Sequence, residues 1–556
     1  MAFGCKHRRL FVLIGFFNLG IGRPLAQAQQ KGRDARIATQ EVYLNTGDEP
    51  PSMDPTRQAD SVSGFWLGHL YEGLMTYDQT GNIVPGTAAS AKVSADGKTW
   101  TFVLRKTAKW HDGKAVRAQD FEYAMKRLVD PVYASEYSFI STAAGLKNAE
   151  AILAKKMPPS ALGVRAINDG TLEVELSRPV PYFDSLMAFQ IFFPVRRDLV
   201  DKYGDKFASI PESIVGNGPF KLASWQKEQS LRIVKADTYW NAATIKLTAI
   251  ESPSMVKDTQ ATFNNFQTGG IDITNATTPE VIKQAQAARL KIETAPTGCV
   301  DYISLNVREG RPFQTLELRQ ALRAGISRAE YVNKIVGVPG YKPSLAWVPS
   351  FLPGSKPGST YRREAPAIGK DGEVTKAQQL VGAYLDNTKQ TKVPSFTILS
   401  GDNSRAKKYA EYWQNSLARI FNTEVKIETV PFKTRLQKAR DGQFDVDLAG
   451  WCPDYRDAMT FMDLFTVKNE NNLSGWKHPQ YDALIESAAN ESDPKARVGL
   501  FAAAEAILAT EVPAVPLAEM GLAYVVAPGL KGVRRSVFSA DPDFRFAVWE
   551  QKKASH

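Results

Sequence analysis

The hydrophobic positions change period repeatedly along this chain. Thr99 to Arg105, TWTFVLR, has strand character, and the AQDFEYAMKRLVD stretch that follows sets Phe121, Ala124, Met125 and Leu128 at the i, i+3, i+4 spacing of an amphipathic helix. TLEVELS alternates apolar and polar residues, Leu231 to Val234 is a short apolar run, and GNGPF is a glycine-proline turn leading into KLASW. In the last third, AKKYAEYWQNSLARIF and PKARVGLFAAAEAILATE predict long helices, and FDVDLAGW between them predicts a strand ending at Trp451. The Pro/Gly/Lys-rich stretch from Gly354 to Lys376 predicts a long surface loop. Strands interleaved with helices in this way predict an α/β protein with mixed sheets. At 43% hydrophobic and 556 residues, the chain exceeds the size at which one core stops growing, so two or three domains are expected.

The N-terminus changes the picture next. Lys6, Arg8 and Arg9 precede the 13-residue apolar run LFVLIGFFNLGIG, and AQA at Ala26 to Ala28 supplies a small-x-small cleavage pattern. Residues 1–28 therefore predict a secretory signal, cut near Ala28, and a periplasmic protein. The run is too short to span a bilayer, and Cys5 lies before it rather than after it, where a lipid-modified cysteine would stand. Cleavage lowers the formal charge from +10 to +6. With Lys and Arg interspersed among Asp and Glu, this predicts a solvated basic surface and no nucleic-acid partner.

Two cysteines remain, Cys299 and Cys452, which in an oxidising compartment read as one structural disulfide; two unpaired buried thiols are the alternative. The chain shows no G-x-S-x-G elbow, no H-E-x-x-H zinc motif, no P-loop and no dinucleotide fingerprint. His69, His111, His478 and His556 are not at ligand spacing, so no metal site is expected, and no cofactor is implied. Two S-x-x-K strings, Ser224 to Lys227 and Ser254 to Lys257, lack the S-D-N and K-T-G partners of penicillin-recognising enzymes. Glu173 and Glu175 share one polar strand face rather than flanking a sugar. Binding is favoured over chemistry.

One motif concentrates unusual chemistry: GWCPDYRDAMTF, Gly450 to Phe461, places an indole, a thiol, a carboxylate and a phenol in five consecutive positions. Together with EPPSMDP and LYEGLMTYDQTGNIVPGTAAS (49–90), TWTFVLRKTAKWHDGKAVRAQDFEYAMKRLVDP (99–131), ALGVRAINDGTLEVELSRPVPYF with VGNGPFKLASW (161–225) and FDVDLAGWCPDY (444–455), it resembles the family 5 substrate-binding proteins of peptide ABC transporters, the oligopeptide-binding proteins above all. The resemblance spans essentially the whole mature chain in consistent order. It implies a two-lobed periplasmic binding protein fold (type II, cluster C) with an extra inserted domain, three domains in all. Lobe one would comprise residues 31–76, 199–298 and 518–556, the inserted domain 77–198, and lobe two 299–517.

The resemblance also implies a function. A monomeric, non-enzymatic carrier would capture an oligopeptide between closing lobes and deliver it to an inner-membrane ABC permease complex. Asp454, the acid of W-C-x-D, would pair with the peptide α-ammonium. Tyr137 and Tyr302 match cleft aromatics, and Phe432 stands where the oligopeptide binders have a tryptophan. Trp451 and the backbone of Ala449 and Gly450 would offer edge-strand groups to the peptide main chain. Leu448 departs from the pattern, because the oligopeptide binders carry there an arginine that meets the ligand carboxylate; Arg440, Arg405 or Lys407 are substitutes to weigh. Related carriers take dipeptides, murein peptides, nickel complexes, haem or opine-like compounds. A secreted hydrolase is the rival from another class, and a chaperone-like role is conceivable as a secondary activity.

Overall fold

The amphipathic segment after Arg117 folds as the helix Ala118–Leu128, with Phe121, Ala124, Met125 and Leu128 all fully buried. Its first turn closes through Asp120, whose carboxylate accepts from the Arg117 backbone N–H at 2.9 Å and from the Trp110 indole at 3.1 Å. The computed structural model describes residues 32–550 except 59, 357 and 470, so the predicted leader 1–28 lies outside the described residues.

Among the described residues, three larger sheets organise the chain, beside two two-stranded ones. Glu41–Tyr43, Ala249–Ser252, Ser230–Lys235 and Phe220–Gln226 form one. Ala88–Val93, Thr99–Leu104, Thr171–Glu175 and Val164–Asn168 form a second, antiparallel throughout, in which the buried Leu172 and Val174 alternate with the more exposed Thr171, Glu173 and Glu175. The third is seven-stranded, in the order Ile273–Asn275, Ala514–Val526, Ile292–Leu305, Val446–Trp451, Phe396–Gly401, Val425–Val430, with Lys342–Pro343 paired to Ala514–Val526. This is a two-lobed, multi-domain α/β fold.

Two features of the third sheet position the site. The strand Ile292–Leu305 runs antiparallel to Ala514–Val526 along nearly its whole length, but the ladder breaks between Pro296 and Val300. Pro296 has no N–H to give, and Gly298 adopts φ +87° while its Cα lies so close to Val537 that a Cβ would sit 2.3 Å from Cγ1. The second feature is an unfinished edge. Val446–Trp451 pairs with Ile292–Leu305 over its full length, from Val446↔Leu305 to Trp451↔Val300. On its other side, Phe396–Gly401 reaches only Val446 and Asp447. Among the described residues, no strand covers that side of Leu448–Trp451.

The stretch 354–376 is less free than its composition predicts. It contains the short helix Tyr361–Glu364, Tyr361 is 1% exposed, and Arg362 forms an ion pair with Glu505 at 2.5 Å. The long helix Val374–Thr388 begins before the stretch ends. A buried tyrosine and a paired arginine hold backbone that proline and glycine alone would leave loose. Among the described residues, no helix is long and apolar enough to cross a membrane.

Candidate ligand-binding cleft

Strand Val446–Trp451 runs straight into Cys452, Pro453 and Asp454, so the ladder that fixes the strand also aims the residues after it. Cys452 is bonded to Cys299 in the ladder break of the neighbouring strand, with the two Cα atoms 4.0 Å apart. The alternative of two separate thiols is thereby excluded. Pro453 packs against Gly298, where a Cβ would meet its ring at 3.1 Å.

Cys452, Pro453 and Asp454 line a cavity of about 690 Å³. Its other walls come from distant parts of the chain: Gln58, Asp60 to Val62, Gly64 and Phe65, then Tyr137, Phe189 and Gln190, Pro296 and Thr297, and residues between Arg535 and Pro542. A recess of this size, assembled from several segments and mixing aromatic with polar groups, has the dimensions of a small-ligand site.

Asp454 is the most unusual acid on its wall. Burial pushes its carboxyl up to about 6, against the opposing pull of the Tyr137 hydroxyl, which donates to Oδ1 at 3.0 Å. That is its only side-chain hydrogen bond among the described residues, and its backbone N–H donates to Thr460 Oγ1 at 3.2 Å. Burial and the adjacent carboxylate push the Tyr137 phenol far up in turn, so it stays a donor at every working pH. Nearby Asp457 is neutralised by Arg497 at 2.5 and 2.8 Å. Asp463 is pushed up to about 7 by burial and by Asp454 and Asp457. A carboxylate taken out of water with one neutral donor has unspent capacity for a cation.

The elements flanking this acid bridge two parts of the chain. Tyr182 and Tyr455 stack with centroids 4.4 Å apart at 9°, Arg456 donates to the Gly81 carbonyl at 3.2 Å, and Arg178 donates to the Ala489 carbonyl at 3.1 Å.

The remaining expected site residues are placed differently from one another. Gly450 is exposed and Ala449 half-buried on the uncovered edge. Trp451 is half-buried against the core, with an indole N–H that has no partner among the described residues. Tyr302, expected on the cleft wall, does not line the 690 Å³ cavity: it is 7% exposed and packs edge-on to Trp347 at 5.1 Å. Its position in the middle of a central strand, between Ala449 and Pro516, turns the ring into the core. Phe432 opens the helix Phe432–Arg440, and its side chain lies outside the described residues. Arg405, Lys407 and Arg440 are exposed. Behind Leu448, Arg435 reaches from that same helix to Asp447 at 2.7 Å and to the Leu448 carbonyl at 2.9 Å.

The comparisons with known proteins agree with this geometry. The family model of bacterial extracellular solute-binding proteins, family 5 (middle region), matches residues 82–472. The chain belongs to this family. Among its relatives, the dipeptide-binding protein DppE of Bacillus subtilis is 32% identical over 495 residues, covering 89% of each chain. The open, unliganded periplasmic murein tripeptide-binding protein MppA superposes with a TM-score of 0.77 at 29% identity, covering 92% of this chain and 97% of that one. The substrate-binding domain of an oligopeptide ABC transporter from Bacillus anthracis superposes with a TM-score of 0.76 at 33% identity, covering 92% and 99%.

Within this family 5 chain, sequence reasoning missed the C-terminal wall. Arg535 and Asp541 form an ion pair at 2.6 Å, and Val537 and Phe538 face the cavity between them. An Arg and an Asp six residues apart, flanking Val and Phe, are the only signal, and it is shared by many loops. One consequence of the Tyr137 contact can be measured directly. Because the phenol favours the ionised acid, Tyr137→Phe is expected to raise the Asp454 titration midpoint by about one pH unit. Carbon-detected NMR of the labelled carboxyl reads it, and an unchanged midpoint would show that the hydroxyl does not act on the acid.

Proposed function

We propose that this family 5 protein is a periplasmic, non-enzymatic carrier that captures oligopeptides and hands them to an inner-membrane ABC permease. The observation that carries the reading is Asp454, a buried, under-partnered carboxylate on a cavity wall, in the segment that directly follows a strand whose outer edge is left uncovered. A peptide offers what that pair lacks: an ammonium with three donors for the acid, and a main chain that can add to the edge at Leu448–Trp451. Main-chain pairing leaves the ligand side chains free to vary. The relatives named for peptide binding support the cargo class.

The lobes in this reading are residues 31–76, 199–298 and 518–556 for one and 299–517 for the other, with 77–198 inserted into the first. The three sheets support the division. The boundary near 298 falls at the ladder break beside Gly298, where two continuous strands can flex without parting. Tyr137, from the inserted domain, would then reach across the cleft to Asp454, so that closure brings the acid its one donor. The Cys299–Cys452 bond would lie within lobe two and leave the hinge free. The leader 1–28 would be removed on export, and the mature chain would act as a monomer.

The test is native mass spectrometry of the protein as purified from its periplasm, followed by release and sequencing of what co-purifies. Peptides returned chemically intact after incubation support the reading. A bound metal complex, haem or opine-like compound, or cleavage of added peptide, would overturn it.

A further inference from the structure

We propose that Asp301 is the counter-ion of a second subsite, selecting a lysine, arginine or ornithine side chain on the ligand residue that lies opposite Gly450. The inference rests on the peptide reading above, in which the ligand adds as a strand beside Leu448–Trp451.

Register supplies the first argument. Asp301 and Gly450 are direct partners across the antiparallel ladder, so they share a face of the sheet. A ligand residue paired to Gly450 on the uncovered edge projects its side chain on that same face. Strands lie about 4.8 Å apart, so the ligand Cα and the Asp301 Cα are about 10 Å apart with Gly450 between them. Any residue other than glycine would fill the gap. Here the gap is open: Gly450 is exposed, and the Asp301 Oδ1 lies only 3.6 Å from where a Gly450 Cβ would stand, so the carboxylate leans over the glycine toward the edge. A four-carbon amine or a guanidinium crosses that interval, and a short side chain does not.

The second argument is an unmet electrostatic demand. Asp301 Oδ2 is buried without a hydrogen-bond partner among the described residues. Burial pushes the acid up to about 7, opposed only by the field of Arg405. The groups facing it are Arg405 and Tyr409 from the helix Ser404–Phe421, Tyr331 from the helical turn Tyr331–Val336, and Tyr341 just before Lys342–Pro343. Among the described residues, none of them hydrogen-bonds to Oδ2 or forms an ion pair with the acid, and the Arg405 side chain is exposed. Tyr331, Tyr341 and Tyr409 lie within the field of the acid, and aromatic neighbours suit the apolar stem of a basic side chain and the face of its cationic head.

Asp301 is distinct from the α-ammonium anchor. Asp454 follows the end of the edge strand, whereas Asp301 lies one strand further in, so the two acids read different groups of one ligand.

The experiment is isothermal titration of the ligand-stripped wild-type protein with trialanine and with trialanine carrying lysine or its neutral isostere norleucine at each position in turn, at pH 8 and pH 5.5. At one position lysine should bind at least tenfold more tightly than norleucine at pH 8, and that ratio should shrink at pH 5.5 as Asp301 takes up its proton. The ratio cancels the titration of Asp454, which both peptides share. In Asp301→Asn the ratio should fall to about one at both pH values; if that variant does not fold, the wild-type pH dependence decides. Trialanine that binds without a lysine preference at any position, or a preference that survives Asp301→Asn, would overturn the subsite and leave the peptide reading standing. Trialanine that fails to bind, alongside lysine and norleucine peptides that also fail, would overturn both.

Discussion

Replacing Asp454 with asparagine is expected to weaken binding of free-amine peptides by two orders of magnitude or more while making the empty protein more stable. The amide keeps the shape and the acceptor for the Tyr137 hydroxyl but removes the charge, and removing one partner of a desolvated ion pair costs about 3 to 5 kcal/mol. Stability moves the other way. Burial raises the Asp454 carboxyl to about 6, above the ordinary range for an unfolded aspartate. The unfolded chain therefore loses this proton before the folded chain does as pH rises. The folded state is penalised progressively between about pH 4 and pH 6, and the penalty remains in full above that. At pH 7.5 it amounts to about 1 to 3 kcal/mol, and the asparagine variant escapes it. Ligand affinity should follow the same titration, falling as pH drops below 6 and again as the ligand amine loses its proton above about 8. A structural acid would show the opposite pairing: a lower melting temperature in the variant and unchanged affinity.

Removing the Cys299–Cys452 bond is the second large effect. The two cysteines are 153 residues apart in sequence, so the bond restrains a very long loop in the unfolded chain. Changing both to serine is expected to lower stability by about 2 to 5 kcal/mol, read as a lower urea midpoint. Added reductant should lower the wild-type midpoint and leave the double variant unmoved. The bond also joins the ladder break at Pro296–Val300 to the residue two places before Asp454, so its loss frees the acid from the strand that aims it. Peptide affinity should therefore fall along with the midpoint. Unchanged affinity in the double variant would mean that the ladder to Ile292–Leu305 alone holds Asp454 in place.

The sequence made the helices legible wherever one face is apolar and the other charged. Phe121, Ala124, Met125 and Leu128 fall on one stripe and are buried together, and the expected helix within Ser404–Phe421 is present for the same reason, whereas Pro494–Glu511 is a run of good helix formers that buries Arg497 and Glu505 along with Phe501 and Leu508. Leu172 and Val174 show the strand counterpart. What periodicity did not reveal is which layer covers a given face. Tyr302 and Asp301 are neighbours in VDYISL, and alternation puts them on opposite faces, yet nothing in the residues says that the tyrosine meets Trp347 while the acid leans over Gly450. The cavity wall at Arg535 to Pro542 was hidden for a related reason, since it joins the site only through contacts with residues hundreds of positions away. Asp454 stood out because a carboxylate among Trp451, Cys452 and Tyr455 has little company that can solvate it. The structure adds the missing half: one phenol donor, and a cavity on the other side.

The central claim is that Asp454 holds the ligand's terminal amine. Isothermal titration of the ligand-stripped protein at pH 7.5 with one tripeptide, free at its N-terminus and then N-acetylated, tests it most directly. Acetylation removes the charge and leaves the rest of the ligand unchanged, so the account predicts a loss of at least a hundredfold in affinity; equal affinity for the two forms would contradict it.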